Sequence, residues 1–254
     1  MHLRKIIPAA FGLAALVALS APAAAGTFTI SPLRVDFADT TGTAALTIRN
    51  EDAVPVVVQT QGLAWSQEGG QDALAPSRDL LISPAVFTLP PGGSQLVRVA
   101  LRRGVDPVRE LTYRLTLQEV PQAASPDFNG LQVALRLSVP VFVEPRAAAA
   151  PDVSWAAARD ADGKLSVTAR NDGSAHARIL SFSVKTADGA TTVLEQPGLT
   201  YVLPGSSRQW ILDDNNNTRP HTQSTASPGK AGPYRLEGTT DRGSFATELT
   251  LAAD

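Results

Sequence analysis

Histidine, the side chain best suited to moving protons near neutral pH, occurs only at positions 2, 176 and 221. His176 lies in the polar run "DGSAHAR" and His221 in "DDNNNTRPHTQSTASPGKAGP" (213–233). Neither has a Ser or Asp partner at a telling spacing, although such triads need not be contiguous. There is no HExxH metal pair, no G-x-S-x-G elbow ahead of a helix and no phosphate-cradling loop. The carboxylate pairs Asp160/Asp162 and Asp213/Asp214 stand among turn-forming residues, where they read as loop chemistry. Cysteine is absent, which excludes thiolate zinc sites and disulfide frameworks. The expectation is a protein that is not an enzyme and holds no metal or cofactor.

The chemistry that does stand out is association. In "LQVALRLSVPVFVEP" (131–145) every odd position is apolar: Leu131, Val133, Leu135, Leu137, Val139, Val141 and Val143. A period of two is the mark of a strand, and taken alone the stripe fits a strand facing its own core. Pro140 argues against a fully paired strand. It has no N–H to donate, so its part of the run belongs on a sheet edge, at a bulge or at a bend. A long apolar edge strand invites unwanted pairing and is normally blunted.

The elements around this run are short Val/Leu/Thr/Phe stretches separated by turn signals, with 19 Pro and 19 Gly, an all-β composition. They fall into two halves that repeat one plan. "AALTIRNEDAVPVVVQTQGLAW" (44–65) is strand, turn at Asn50–Asp52, strand; "KLSVTARNDGSAHARILSFSV" (164–184) repeats it with a turn at Asn171–Gly173. "FTLPPGGSQLVRVAL" (87–101) is answered by "YVLPGSSRQWIL" (201–212). Asn50 and Pro90 are 40 apart and Asn171 and Pro204 are 33 apart, which predicts two β-sandwiches of similar plan. Between them, "EPRAAAAPD" (144–152) lacks apolar alternation and reads as a short, stiff connector. The predicted domains are 26–146 and 147–254.

The start, "MHLRKIIPAAFGLAALVALSAPAAA", has basic residues, a short apolar run and a small-residue exit. It predicts a signal peptide over 1–25, cut after Ala25, and no membrane insertion afterwards. Removing Arg4 and Lys5 leaves 20 basic against 24 acidic residues, and no basic stripe with interleaved aromatics points to nucleic acid.

In this order the motifs resemble the PapD-like periplasmic chaperones of pilus assembly, in a divergent branch. "ISPLRVDF" (30–37) is similar to the family's first strand, with Arg34 at its invariant arginine. "LTYRLTLQEVP" (111–121) resembles the strand before the family's variable loop, here "QAASPDFNG" (122–130). The run 131–145 then corresponds to the subunit-binding strand. The resemblance implies two immunoglobulin-like sandwiches in tandem, boomerang-like, with a cleft between them. It also implies a periplasmic location and two partners: pilin or fimbrial subunits and an outer-membrane usher. The expected mechanism is donor-strand complementation, in which the chaperone's edge strand fills the groove of a subunit lacking its last strand. On that footing Leu131, Val133, Leu135, Leu137 and Val139 are the subunit-binding residues, and Arg34 grips the subunit's terminal carboxylate. The competing reading is an exported structural or adhesive protein of tandem immunoglobulin-like domains.

Two positions depart from the family pattern. The lysine that partners the cleft arginine aligns with Pro140, which leaves Arg98, Arg136 and Arg146 as candidate substitutes. Glu110 and Asp241 match the acids of an interdomain bridge, but Glu144 stands where its arginine belongs. Three carboxylates cannot gather unneutralised, so that bridge is not carried over.

Overall fold

Alternation of buried and exposed residues runs through most of the chain and builds sheets throughout. The computed structural model describes residues 28–37, 42–121, 133–159, 165–185, 191–212 and 234–249. Residues 1–25, read above as a signal peptide, the loop 122–130, Leu131, the 213–233 stretch with His221, and Asp160 and Asp162 lie outside the described residues.

The first half contains β1 (Phe28–Ser31), β2 (Val35–Phe37), β3 (Thr43–Asn50), β4 (Val56–Glu68) and β5 (Gln71–Pro76). It continues with β6 (Leu80–Ser83), β7 (Val86–Leu89), β8 (Ser94–Leu101), β9 (Leu111–Val120) and β10 (Arg136–Val143). One sheet has the order β1-β3-β8-β6; the other has the order β2-β10-β9-β4-β5, with β7 also on β4. Leu46, Ile48, Val97 and Val99 from the first sheet face Val58, Leu115, Leu117, Val139 and Val141 from the second, forming one core. The β4–β5 hairpin turns through Gly69 and Gly70, both at positive φ (56° and 77°), as a tight two-residue hairpin turn requires.

The second half contains β11 (Val153–Arg159), β12 (Leu165–Asn171), β13 (Ala177–Lys185), β14 (Thr191–Val202), β15 (Ser206–Leu212), β16 (Tyr234–Thr240) and β17 (Gly243–Leu249). Its sheets, β11-β12-β15 and β14-β13-β16-β17, enclose a separate core that includes Val167, Ala169, Ile179, Phe182, Val184, Trp210 and Leu236. The chain is thus all-β, with two sandwich cores in succession, as its composition and repeat require.

The β10 strand determines what the opening stripe can do. It pairs with β9 along its whole length, from Arg136 opposite Gln118 to Val143 opposite Leu111. On its other flank β2 covers Val141–Val143 only, in parallel. Arg136–Pro140 is therefore sheet edge, and Pro140 is the last residue before the edge closes. The stripe itself divides. Val133 is 59% exposed and Leu135 half-buried, whereas Leu137 is half-buried against the first core. Val139 is a core residue, 3% exposed, so the expectation that it points outward for a guest does not hold. The reason is geometric: odd residues of β10 face the opposing sheet, and the strand leaves that sheet's shelter only before Leu137.

Candidate functional site

Two features of the fold could engage a partner: the open edge just described and the junction between the two halves. At the edge, the main chain along Arg136–Pro140 is paired on the β9 side only, and that ladder extends one residue further back, where the Glu119 N–H of β9 donates to Leu135 O at 2.9 Å. An extended peptide can add there, with main-chain bonds for affinity and the side chains of Val133 and Leu135 for pockets.

The junction arises because some strands are apolar on both faces. Trp65 and Phe142 point away from the first core and meet Tyr201 and Leu203 of the second half, all four at most 3% exposed. Trp65 lies edge-on to Tyr201 at 5.6 Å, and Phe142 lies 5.2 Å from the same ring. Gln67 imitates a neighbouring strand: its Nε2 donates to Tyr201 O at 2.8 Å and its Oε1 accepts from Leu203 N at 3.0 Å. Beside it Arg208 donates to Asp72 at 2.9 Å, tying β15 to the β4–β5 hairpin.

A second tie replaces the bridge left open by the sequence. Glu110, 6% exposed, accepts the His176 backbone N–H at 2.7 Å, and its two oxygens lie 2.7 and 2.9 Å from His176 Nδ1. An ionised carboxylate only accepts, so the imidazole proton sits on Nδ1. The ring stacks on Phe142 at 3.7 Å and 15°. Glu144, Asp241 and Arg242 line the adjoining cavity and no ion pair joins them among the described residues.

That cavity, of about 590 Å³, lies between the halves. Arg34, Asp36, Glu110, Phe142, Arg146 and His176 are among its walls. Arg34 donates to Asp36 at 2.8 Å; burial works against its charge, but Asp36 outweighs that and its pKa stays above the usual value. Of the candidate lysine substitutes, Arg146 lines the cavity. Arg98 sits between Ala45 and Ser83 on the outer face of the other sheet, and Arg136 is an exposed residue opposite Gln118; neither lines the cavity. The arginine in direct register with Pro140 is Arg114. It is 8% exposed, stacks on Trp65 with its Cζ 3.6 Å from the ring, and has its pKa lowered by burial.

Sequence reasoning missed Arg114, His176, Trp65, Gln67 and Tyr201 as junction residues. One signal was available: Phe142 and Trp65 are large aromatics out of phase with their own strands' core stripes, which marks a second buried face. No cluster of three or more His, Cys, Asp or Glu side chains is placed to hold a metal among the described residues.

Residues 27–149 match the PapD N-terminal domain of pili and flagellar-assembly chaperones. The chain belongs to the PapD-like pilus-assembly chaperones, a family of non-enzymatic periplasmic proteins, as a divergent member. No curated protein matches it by sequence. Solved structures share its fold. One is from the CsuC–CsuE chaperone–tip adhesion subunit pre-assembly complex of the archaic chaperone–usher Csu pili of Acinetobacter baumannii: 21% identity and TM-score 0.65 over 89% of this chain and 100% of that one. The E. coli chaperone DraB is 20% identical with TM-score 0.58, over 89% of this chain and 97% of its own. The Salmonella enterica SafA pilin–SafB chaperone complex contributes a match of 18% identity and TM-score 0.57, covering 87% and 95%.

Proposed function

We propose that this chain is exported by its leader, residues 1–25, and works in the periplasm as a cap for pilin or adhesin subunits. It binds them by donor-strand complementation and passes them to an outer-membrane usher. The working division is an N-terminal domain, 26–146, that carries the binding strand, and a C-terminal domain, 147–254. The single observation that supports this most is the one-sided pairing of Arg136–Pro140, with exposed Val133 and half-buried Leu135 leading into it. A free edge with apolar side chains at alternate positions is what an incomplete sandwich needs from a donor.

In this reading Val133 and Leu135 fill guest pockets, Leu131 extends the row, and Leu137 contributes its exposed half. Val139 anchors the strand to its own domain. Arg34, at the family's arginine position and open to the interdomain cavity, faces the guest's terminal carboxylate. Relatives are recorded with such guests, CsuC with the CsuE tip subunit and SafB with the SafA pilin.

The test is co-expression, in a periplasm, with a pilin lacking its final strand. A soluble one-to-one complex is expected, and a pilin whose groove is already filled by a fused donor strand should not be captured. Equal recovery of both pilins, or of neither, refutes the proposal.

A further inference from the structure

One side chain of the second sheet breaks the pattern of its own strand. Along β9 the odd residues face the first core, and Leu115 and Leu117 are buried there, 0% and 4% exposed. Glu119 continues that face, but it is a carboxylate. It is half-buried, opposite buried Val58 on β4 and, on the other side, beside Leu135, the next residue of the stripe after the Leu137–Leu117 pair. Cross-strand neighbours on one face stand about 5 Å apart. The Glu119 N–H donates to Leu135 O at 2.9 Å, and the Leu135 N–H donates back to the Glu119 side chain, Oε2, at 3.2 Å. The carboxylate therefore sits at the point where the docking row leaves its own domain. Among the described residues no cation pairs with it. The neighbouring stretches Val56–Thr60 and Ala134–Leu137 contain one basic residue, Arg136, which projects from the opposite face beside Gln118.

A leucine at position 119 would carry the apolar stripe of β9 to its end and offer a guest a wider apolar surface. A carboxylate in its place is stable only while water or a cation reaches it. The free chain provides water, because the opposing sheet no longer covers this end of the strand pair. A guest that covers Val133 and Leu135 removes water from the carboxylate beside them, and a carboxylate left without a partner then opposes docking. We infer that Glu119 is a specificity-determining residue, which accepts subunits carrying a lysine or arginine on the rim of the groove, next to the pocket that receives Leu135. This rests on the docking function proposed above and adds a rule for which guest is taken. Alternate apolar side chains test only shape and apolarity, which many incomplete sandwiches share. A charge beside them rejects guests whose rim is neutral or acidic. The contact is separate from the interdomain cavity, whose walls do not include Glu119.

The probe is the strand-deficient pilin recovered in the co-expression experiment, and its affinity is measured at low and at high sodium chloride. Glu119→Gln keeps an accepting oxygen for the Leu135 N–H, so it should unfold at the wild-type midpoint and separates charge from positioning. Capture by the wild-type chain should weaken as salt rises. Glu119→Gln should bind about threefold to tenfold more weakly at low salt and lose most of that salt dependence. Glu119→Lys should lose on the order of a hundredfold, because it sets like charges together. One lysine or arginine on the pilin's groove rim, changed to glutamate, should restore capture by Glu119→Lys to within about tenfold of the wild-type pair; this change leaves the chaperone's own fold untouched. A folded Glu119→Gln protein that captures the pilin within about twofold of wild type at low salt overturns the inference. So does a loss that salt does not alter, or a rim on which no single charge reversal rescues Glu119→Lys. Any of these, with wild-type capture intact and Val133→Glu blocked, leaves the chaperone proposal standing. Failure of the wild-type chain to capture a strand-deficient pilin sinks both.

Discussion

The division of the β10 stripe makes a sharp prediction, because two valines six residues apart in one alternating row should fail in opposite ways. Val133 is 59% exposed in the free chain. Burying that remainder in a guest groove is worth about 1 kcal/mol, from roughly 1.5–2 for a whole valine side chain. Val133→Ala should therefore weaken capture only a few-fold. Val133→Glu should do far more, since an unpaired carboxylate taken into an apolar groove adds a penalty of several kcal/mol. A total near 4 kcal/mol means about a thousandfold loss of affinity. In the free protein the same glutamate stays in water, and stability should move by no more than about 0.5 kcal/mol. Val139 has the reverse profile. At 3% exposure in the first core, Val139→Ala removes about 1.6 kcal/mol of transfer energy plus a cavity term, some 2–3 kcal/mol in all. Two assays separate the cases: competition binding to a strand-deficient pilin, and denaturant unfolding of the chaperone alone. Capture by Val133→Glu within threefold of wild type would refute the docking role. Unfolding of Val133→Glu as easily as Val139→Ala would refute the claim that the stripe changes function along its length.

Glu110→Ala should cost about 2–4 kcal/mol in unfolding experiments, because it leaves the His176 N–H and Nδ1–H without their acceptor in a mostly buried site; Glu110→Gln, which keeps one accepting oxygen, should recover part of that. Gly173→Ala should destabilise by about 1–3 kcal/mol. A Cβ there would sit 2.4 Å from both Ala150 O and Asp152 N, so the linker must shift, and small-angle scattering should register a changed arrangement of the halves; an unchanged profile and midpoint would show that the linker does not pack as described.

Much of the architecture was legible because it repeats a local code. Alternation in "AALTIRN" and "LVRVAL" becomes β3 and β8 facing one core. Pro140 announced an edge, and the pairing of β10 has one. The extent of the docking row was not legible, since period-2 alternation gives every odd residue the same face without saying what covers that face. Coverage depends on where β2 ends and where the opposing sheet stops, which are long-range facts. The junction was hidden for a related reason. His176 sits in a polar turn by its neighbours, and only the meeting of two domains turns it into the partner of Glu110.

The paired asparagines show why the repeat itself could be read. Asn50 and Asn171 are both fully buried at the ends of β3 and β12. Asn50 Oδ1 accepts from Asp52 N, while its Nδ2 donates to Val54 O at 2.8 Å and Leu89 O at 3.2 Å. Asn171 Oδ1 accepts from Gly173 N, and its Nδ2 donates to Ala175 O at 2.8 Å and Val202 O at 3.0 Å. In both halves one amide closes its own turn and pins the strand end that precedes the Pro-Gly turn, which keeps the two phrases in the same order although 40 residues separate Asn from Pro in one half and 33 in the other. Ala, Ser or Asp cannot supply two donors and an acceptor in that geometry. In the second copy the same side chain also accepts from Asp152 N at 3.0 Å. This turn thus also contacts the linker, and through Gly173 and the Ser174 carbonyl bonded to Glu110 N it reaches the first domain. A motif that closes a sandwich in the first half therefore also sets the domain junction in the second, next to the cavity into which Arg34 opens.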